Sequence, residues 1–169
     1  MAQFHDVFEM ALGWIGLLSS DEGVRRTTLP QPSPADCVVI MGPEAAGSIE
    51  SPDRLAPLRD RIEAYFLGER VDFADEPVDV DDAPPFLKAA WAACLTIPYG
   101  ETRTYKWLAE QAGKPRAQRA AGQSMARNRL PIVVPCHRVI ASDGSLRGFG
   151  KGASQLDLKR LLLELEGGG

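Results

Sequence analysis

The chain lacks any apolar run long enough to cross a bilayer. Its apolar runs, such as residues 132–134 and 161–163, end after a few positions, against the roughly 20 residues that a spanning helix needs. The opening MAQFHDVFEM has no basic stretch ahead of an apolar core, so no secretory signal is expected. Cysteine is scarce: three residues, at 37, 94 and 136, widely spaced and without a C-x-x-C pair. That odd, scattered set argues against a disulfide framework and against a zinc site, and it suits a reducing cytoplasm. No internal repeat or low-complexity segment is visible apart from the closing Gly-Gly-Gly, which excludes solenoids and propellers.

What is present is an ordinary globular composition, 44% hydrophobic and 25% charged, in a length that holds one domain or two small ones. The net charge of −4 hides an asymmetry. Residues 1–85 carry 6 Lys and Arg against 17 Asp and Glu, whereas residues 86–169 carry 13 against 6. A basic half on an acidic protein is what a polyanion-binding face looks like, because cations gain by displacing counterions from phosphates. A charge pairing between the two halves would give the same count.

Residues 13–29 read as two strands around a turn at Ser20-Asp21-Glu22-Gly23. The apolar run from Cys37 to Met41 suits a buried strand. Residues 51–67 read as a helix that Ser51 caps and Pro52 opens, with Leu55, Leu58, Ile62, Tyr65 and Phe66 on one stripe and Gly68 at its end. The acidic stretch from Gly68 to Pro85 reads as a linker. Beyond it Phe86, Ala89, Ala90, Ala93, Cys94 and Ile97 recur at helical spacing. Thr104 caps a second helix that Gly113 ends, and Pro115 or Arg116 opens a third to about Arg127. Two short helices around a glycine-containing turn read as a helix-turn-helix. A last helix is expected from about Ser154 to Glu166. The expected fold is α+β. A small domain of antiparallel sheet and helix with linker occupies residues 1–80, and a mostly helical domain carrying the helix-turn-helix occupies residues 81–169.

The sharpest segment is PIVVPCHRVI, residues 131–140. A cysteine followed at once by histidine does not readily chelate one metal, because adjacent side chains diverge, but it can set a thiol near an imidazole. An ordinary thiol is only a few per cent ionised at neutral pH, so a neighbouring base raises its reactive fraction. Such a base needs an orienting acid, and Glu166 is one of few acids in the basic half. Taken alone, such a dipeptide more often describes a buried structural cysteine beside a satisfied polar neighbour.

The companions decide between these. Pro135-Cys136-His137-Arg138-Val139 resembles the active-site motif of the O6-alkylguanine-DNA alkyltransferases, the methylated-DNA–protein-cysteine methyltransferases. Ile97-Pro98-Tyr99-Gly100-Glu101-Thr102, with Tyr105 and Leu108-Ala109, resembles that family's entry to its helix-turn-helix. Arg119-Ala120-Ala121-Gly122, Met125 and Asn128 are similar to its recognition helix and following turn. Gly144, Gly148-Phe149 and Gly152 match its glycine-rich loop, and Lys159, Leu162-Leu163 and Glu166 its last helix. Residues 86–167 are covered almost continuously; the first half matches loosely, chiefly through Tyr65-Phe66-Leu67-Gly68-Glu69-Arg70.

The resemblance implies a direct-reversal DNA repair protein. It would transfer the alkyl group of O6-alkylguanine, and of O4-alkylthymine, to its own Cys136 in one irreversible turnover. It further implies His137 as base through a water, Glu166 as its orienting acid, Tyr105 as proton donor to the departing guanine, and Asn128 as a tie between helix-turn-helix and active-site segment. Arg119 would fill the gap left by the extruded nucleotide. Ala117, Ala120, Ala121 and Gly122, with Thr104 and Arg116, would lie at the DNA. Pro131, Val139, Ser142, Phe149 and Gly150 would belong to the base pocket. The implied partner is double-stranded DNA with alkylated bases, bound by a monomer without cofactor, membrane or obligate protein partner. Some relatives bind zinc through cysteines and histidines of the first half; here only His5 and Cys37 stand there, so no structural metal is expected. The basic residues around the turn asparagine, Ala126-Arg127-Asn128-Arg129, are shifted by one from the usual pattern.

Other classes leave different marks. A non-catalytic reader of alkylated DNA shares the fold but replaces the acceptor cysteine. A thiol hydrolase seldom has nucleophile and base adjacent in sequence, and a helix-turn-helix regulator needs no reactive thiol. A phosphate-cradling loop at residues 142–152 lacks the G-x-x-x-x-G-K-[ST] spacing.

Overall fold

The computed structural model of the chain describes residues 2–146 and 153–167. The chain divides into two compact units. The first holds Met1–Glu69, Asp75–Val80 and Arg129–Val133, and the second holds Arg70–Ala74, Asp81–Asn128 and Val134–Gly169.

In the first unit, β1 (Gln3–Met10), β2 (Gly13–Ser20) and β3 (Val24–Thr27) form an antiparallel meander. A two-residue strand β4 (Ile49–Glu50) joins β1 in parallel, giving the order β3-β2-β1-β4. The β2–β3 hairpin follows the expected turn. Strand β1 lay outside the sequence reading, although Phe4, Phe8 and Met10 alternate with His5 and Glu9 along it.

The run from Cys37 to Met41 is not a strand. It is the body of helix α1 (Pro34–Met41). Ser33 accepts a hydrogen bond from the Asp36 N–H at 3.2 Å, Pro34 opens the helix and Asp36 places a carboxylate in its first turn. Those start signals outweigh the strand preference of four apolar residues. Only Cys37 and Met41, one turn apart, are buried, whereas Val38, Val39 and Ile40 are exposed. The helix packs closely on β2 because Gly16 has no side chain: a Cβ there would stand 2.9 Å from Met41 Cε and 3.0 Å from Cys37 Cβ. A short α2 (Pro43–Ala46) follows, and Leu18, Met41 and Ala45 form one apolar cluster. Helix α3 (Pro52–Phe66) covers β1 and buries Leu55, Leu58, Ile62 and Tyr65. Pro52 opens it as expected, but the Ser51 side chain makes no cap bond.

The second unit contains α4 (Pro85–Leu95), α5 (Tyr105–Gln111), α6 (Gln118–Ala126) and α7 (Ala153–Leu165). Helices α4, α5 and α6 pack on one another, and Trp91 Nε1 of α4 donates to Ser124 O of α6 at 2.9 Å. Thr104 caps α5, its hydroxyl accepting from the Trp107 N–H at 3.1 Å. Helix α6 begins two residues later than Arg116, without a side-chain cap. A two-residue parallel pair, β5 (Arg103–Thr104) with β6 (Val139–Ile140), ties the entry of α5 to the segment just after Cys136. No described helix is long and apolar enough to cross a membrane.

Candidate active site

Cys136, His137 and Arg138 form a single 3-10 turn, and all three are buried. The turn is fixed at its start by the Cys136 N–H, which donates to Val134 O at 2.8 Å. Asn128, just beyond α6, donates from Nδ2 to that same Val134 carbonyl at 2.9 Å. The helix-turn-helix and the cysteine segment are thereby joined by one side chain.

Glu166, at the end of α7, is the hub of the cluster. Its Oε2 lies 2.6 Å from His137 Nε2. Arg138 grips it with two bonds, Nε to Oε1 at 2.8 Å and Nη2 to Oε2 at 3.1 Å, and spends Nη1 on Ile97 O at 2.7 Å. A fourth donor is the Gly100 N–H, 3.0 Å from Oε1. Gly100 has φ +82°, and a Cβ there would lie 3.2 Å from Glu166 O, so both the backbone shape and the close approach favour glycine. A buried carboxylate with this many donors is held in one place.

The electrostatics set the resting state. Burial pushes the Cys136 thiol above its ordinary value, although the Asn128 hydrogen bond and the Lys159 charge oppose it. Burial thus favours the neutral thiol at rest, and a base is needed to take its hydrogen. Burial likewise pulls His137 below its ordinary value against the pull of Glu166. A neutral imidazole can accept a proton, and Glu166 is placed to stabilise the cation that results.

Lys159 of α7 is buried among these groups. Its Nζ donates to Val139 O at 2.6 Å and lies 3.4 Å from the Tyr105 hydroxyl. Burial lowers it to about 8, with Cys136 and Cys94 pulling the other way. Beside Tyr105 opens a cleft of about 670 Å³, walled by Arg119, Gly122 and Gln123 of α6 and by Ala141, Ser142 and Asp143. That volume lies in the range of small-molecule sites.

The sequence profile described as 6-O-methylguanine DNA methyltransferase, DNA binding domain, matches residues 85–168. A methylated-DNA–protein-cysteine methyltransferase of Methanosarcina barkeri is 39% identical over 170 residues, spanning 96% of each chain. The chain belongs to the methylated-DNA–protein-cysteine methyltransferase family. The fold agrees. The O6-methylguanine methyltransferase of Mycobacterium tuberculosis superposes with a TM-score of 0.79 at 33% identity, covering 97% of this chain and 92% of that one. The Mycobacterium tuberculosis OGT in complex with DNA superposes with a TM-score of 0.76 at 33% identity, covering 96% and 92%.

For this methyltransferase-family chain, the structure brings Cys136, His137, Glu166 and Asn128 into one cluster and places Tyr105, Arg119, Gly122 and Ser142 around one cleft. Arg116 is exposed; Ala117, just before α6, and Ala120 on it are half-buried. The Ala121 side chain is buried inside the second unit. The Thr104 hydroxyl is engaged as the α5 cap. Val139 is buried, and its carbonyl holds Lys159. Pro131 belongs to the first unit, where its carbonyl accepts from Thr27. Phe149 and Gly150 lie outside the described residues, as does most of the glycine-rich loop. Among the described residues no group of His, Cys, Asp and Glu is placed to hold a metal ion. The sequence reading missed three groups of the site: Arg138, Gly100 and Lys159. Each sat inside a quoted motif, but its partner stands 20 or more positions away.

Proposed function

We propose that this chain repairs alkylated DNA by moving the alkyl group of an O6-alkylguanine, and of an O4-alkylthymine, onto Cys136. The observation that carries the reading is Cys136 followed at once by His137, whose Nε2 is held by Glu166 at 2.6 Å. A base so oriented turns a buried thiol into a nucleophile at the moment of attack. His137 takes the thiol proton through a water, using Nδ1 because Glu166 engages the other nitrogen. The sulfur forms a bond to the alkyl carbon as the carbon–O6 bond breaks, with the electron pair leaving on guanine. Tyr105 gives the guanine a proton, and Lys159, 3.4 Å from the Tyr105 hydroxyl, replaces it.

The product is a thioether with no easy reverse path, so each molecule acts once. Every proton and electron in the step comes from the protein and substrate, and the reading needs no cofactor. The substrate base reaches the cleft only when turned out of the duplex. Arg119, on the cleft wall, occupies the vacated stack. Ala117, Ala120 and Gly122 keep α6 slim enough to approach the DNA backbone, with Thr104 and Arg116 beside it. Ser142, on the cleft wall, stands at the lip of the pocket.

The reading takes double-stranded DNA carrying alkylated bases as partner and requires no second protein subunit. It places the work in the cytoplasm, where thiols such as Cys37, Cys94 and Cys136 stay reduced. Incubation with an O6-methylguanine duplex, followed by intact mass, tests it. One methylene gained per chain, and none in Cys136→Ser, is the expected result.

A further inference from the structure

The segment after α4, residues 97–100, meets the buried cluster around Glu166 at several points, all within the second unit. Ile97 O accepts from Arg138 Nη1 at 2.7 Å, and the Gly100 N–H donates to Glu166 Oε1 at 3.0 Å. Between them stands Tyr99. Its hydroxyl donates to Leu165 O at 3.4 Å, on the residue just before Glu166. Its ring centroid lies 5.7 Å from Arg138 Cζ, within reach of a cation–π contact. The turn that presents the ring is closed by the Glu101 N–H, which donates to Pro98 O at 3.1 Å, with Gly100 at φ +82° as a type II turn requires.

The Arg138 and Glu166 side chains are 7% and 1% exposed, whereas Tyr99 is half-buried. A ring that lies against a buried guanidinium and also meets solvent acts as a cover. It keeps water from the ion pair, and the pair needs this, because Coulomb attraction falls as the local dielectric rises. Arg70 holds the ring from solvent, its Cζ 5.3 Å from the same centroid. Glu166 in turn holds His137 Nε2 at 2.6 Å. The ring, Arg138, Glu166 and His137 thus form one chain of contacts, although the alkyl-transfer steps make no direct use of Tyr99.

We propose that Tyr99 is a positioning residue for alkyl transfer: its ring shields the Arg138–Glu166 pair from water and so keeps Glu166 fixed on His137. This rests on the reading of Cys136 as the acceptor and His137 as its base. The ring carries the effect, because a hydroxyl bond of 3.4 Å is long and contributes little. The charged groups that act on His137 are Glu166 and Lys159 from α7 and Arg138 from its own turn, and burial, the largest influence, lowers it. Without the ring, water reaches the cluster and burial counts for less. His137 then moves up towards its ordinary value, and its proton-accepting form is lost at a higher pH.

The test compares the full chain carrying Tyr99→Leu, which removes the ring but stays apolar, with Tyr99→Phe, which keeps it. Methyl transfer from an O6-methylguanine duplex is followed by intact mass over a range of duplex concentrations and of pH. Tyr99→Leu is expected to lower the limiting rate at neutral pH about tenfold, while the half-saturating concentration stays within about twofold. Its acid limb is expected to lie about half a pH unit or more above that of the parent. Tyr99→Phe is expected to keep the rate within about twofold and the limb in place. A parental rate in Tyr99→Leu overturns the proposal. So does a slower rate whose acid limb has not moved, since that marks a residue that only supports the fold, and so does an equal loss in Tyr99→Phe, which assigns the effect to the hydroxyl. Two controls fail the underlying reading instead, whatever Tyr99 does: a parent without an acid limb, and a Cys136→Ser variant that still gains the methyl.

Discussion

Arg138 holds Glu166 through two parallel bonds of 2.8 and 3.1 Å, and both side chains are almost wholly buried. The residue next to the proposed base thus fixes the acid that orients that base. The same guanidinium ties Ile97 O into the cluster, so the turn, the end of α7 and the segment after α4 share one anchor. An arginine suits this place because its planar fork meets a carboxylate in two bonds, which lysine cannot do.

Removing that fork leaves a carboxylate buried with too few donors. Arg138→Met, which keeps the apolar stem, is expected to cost about 3–5 kcal/mol of folding stability. Urea unfolding measures it, and a loss below about 1 kcal/mol would show the pair to be dispensable. Arg138→Lys is expected to fall between the two, because it restores the charge without the second bond.

Two groups of the site predict a rate that rises and then falls with pH. Burial holds His137 below its ordinary 6.5, so its neutral, proton-accepting form is present at neutral pH and is lost as pH falls below that region. Stability follows the same direction. Between the lowered folded value and 6.5 the unfolded chain binds more protons, so the contribution of His137 is complete above about 6.5 and declines in acid. Lys159, lowered to about 8, loses its proton on the alkaline side, and transfer is expected to decline with a midpoint near that value. Lys159→Met is expected to be about tenfold slower at pH 7 and to lack this alkaline decline. A decline that persists in Lys159→Met would assign it to another group.

Much of this site was legible in the sequence because its chemistry is local. The Cys136-His137 step, the Thr104 cap and the order of helices from α4 to α7 all depend on neighbours a few residues apart. What stayed hidden depends on distance along the chain. Arg138 reaches an acid 28 positions away, and Lys159 acquires its lowered value only because folding buries it, against the opposing pull of Cys136 and Cys94. The four apolar residues after Cys37 misled for a physical reason. An apolar run implies a buried strand only where both faces are covered, whereas Val39 is 77% exposed and the start signal at Ser33 and Pro34 selects a helix. Ile132, left-handed at φ +77°, has no sequence mark at all, since isoleucine is among the last residues expected there.

Asn128 joins two bonds in one side chain, to Val134 O and to the Cys136 thiol. Asn128→Ala leaves a buried carbonyl without that donor, at a cost of about 1–3 kcal/mol. It also removes an influence that lowers the Cys136 value, so the thiol is expected to titrate at higher pH. Alkylation of Cys136 by iodoacetamide across a pH series reads this directly. An unshifted profile would mean that Asn128 serves the fold and not the sulfur.

Arg119 is exposed on the cleft wall, and its proposed work is confined to duplex substrates. Arg119→Ala is expected to slow transfer from an O6-methylguanine duplex by about 10-fold or more, since unstacking costs a few kcal/mol. Transfer from the free O6-alkylguanine base should stay within about twofold. Equal losses on both substrates would place Arg119 in the base pocket instead of the stack.

The most direct measurement is intact mass, with peptide mapping, after the chain meets a stoichiometric O6-methylguanine duplex. The expected result is a single methylene on Cys136, one per chain, with unmodified guanine left in the DNA and no further turnover when duplex is in excess. Repaired DNA with an unmodified protein, or a methyl carried on Cys37 or Cys94 instead, would contradict the assignment of Cys136 as the acceptor.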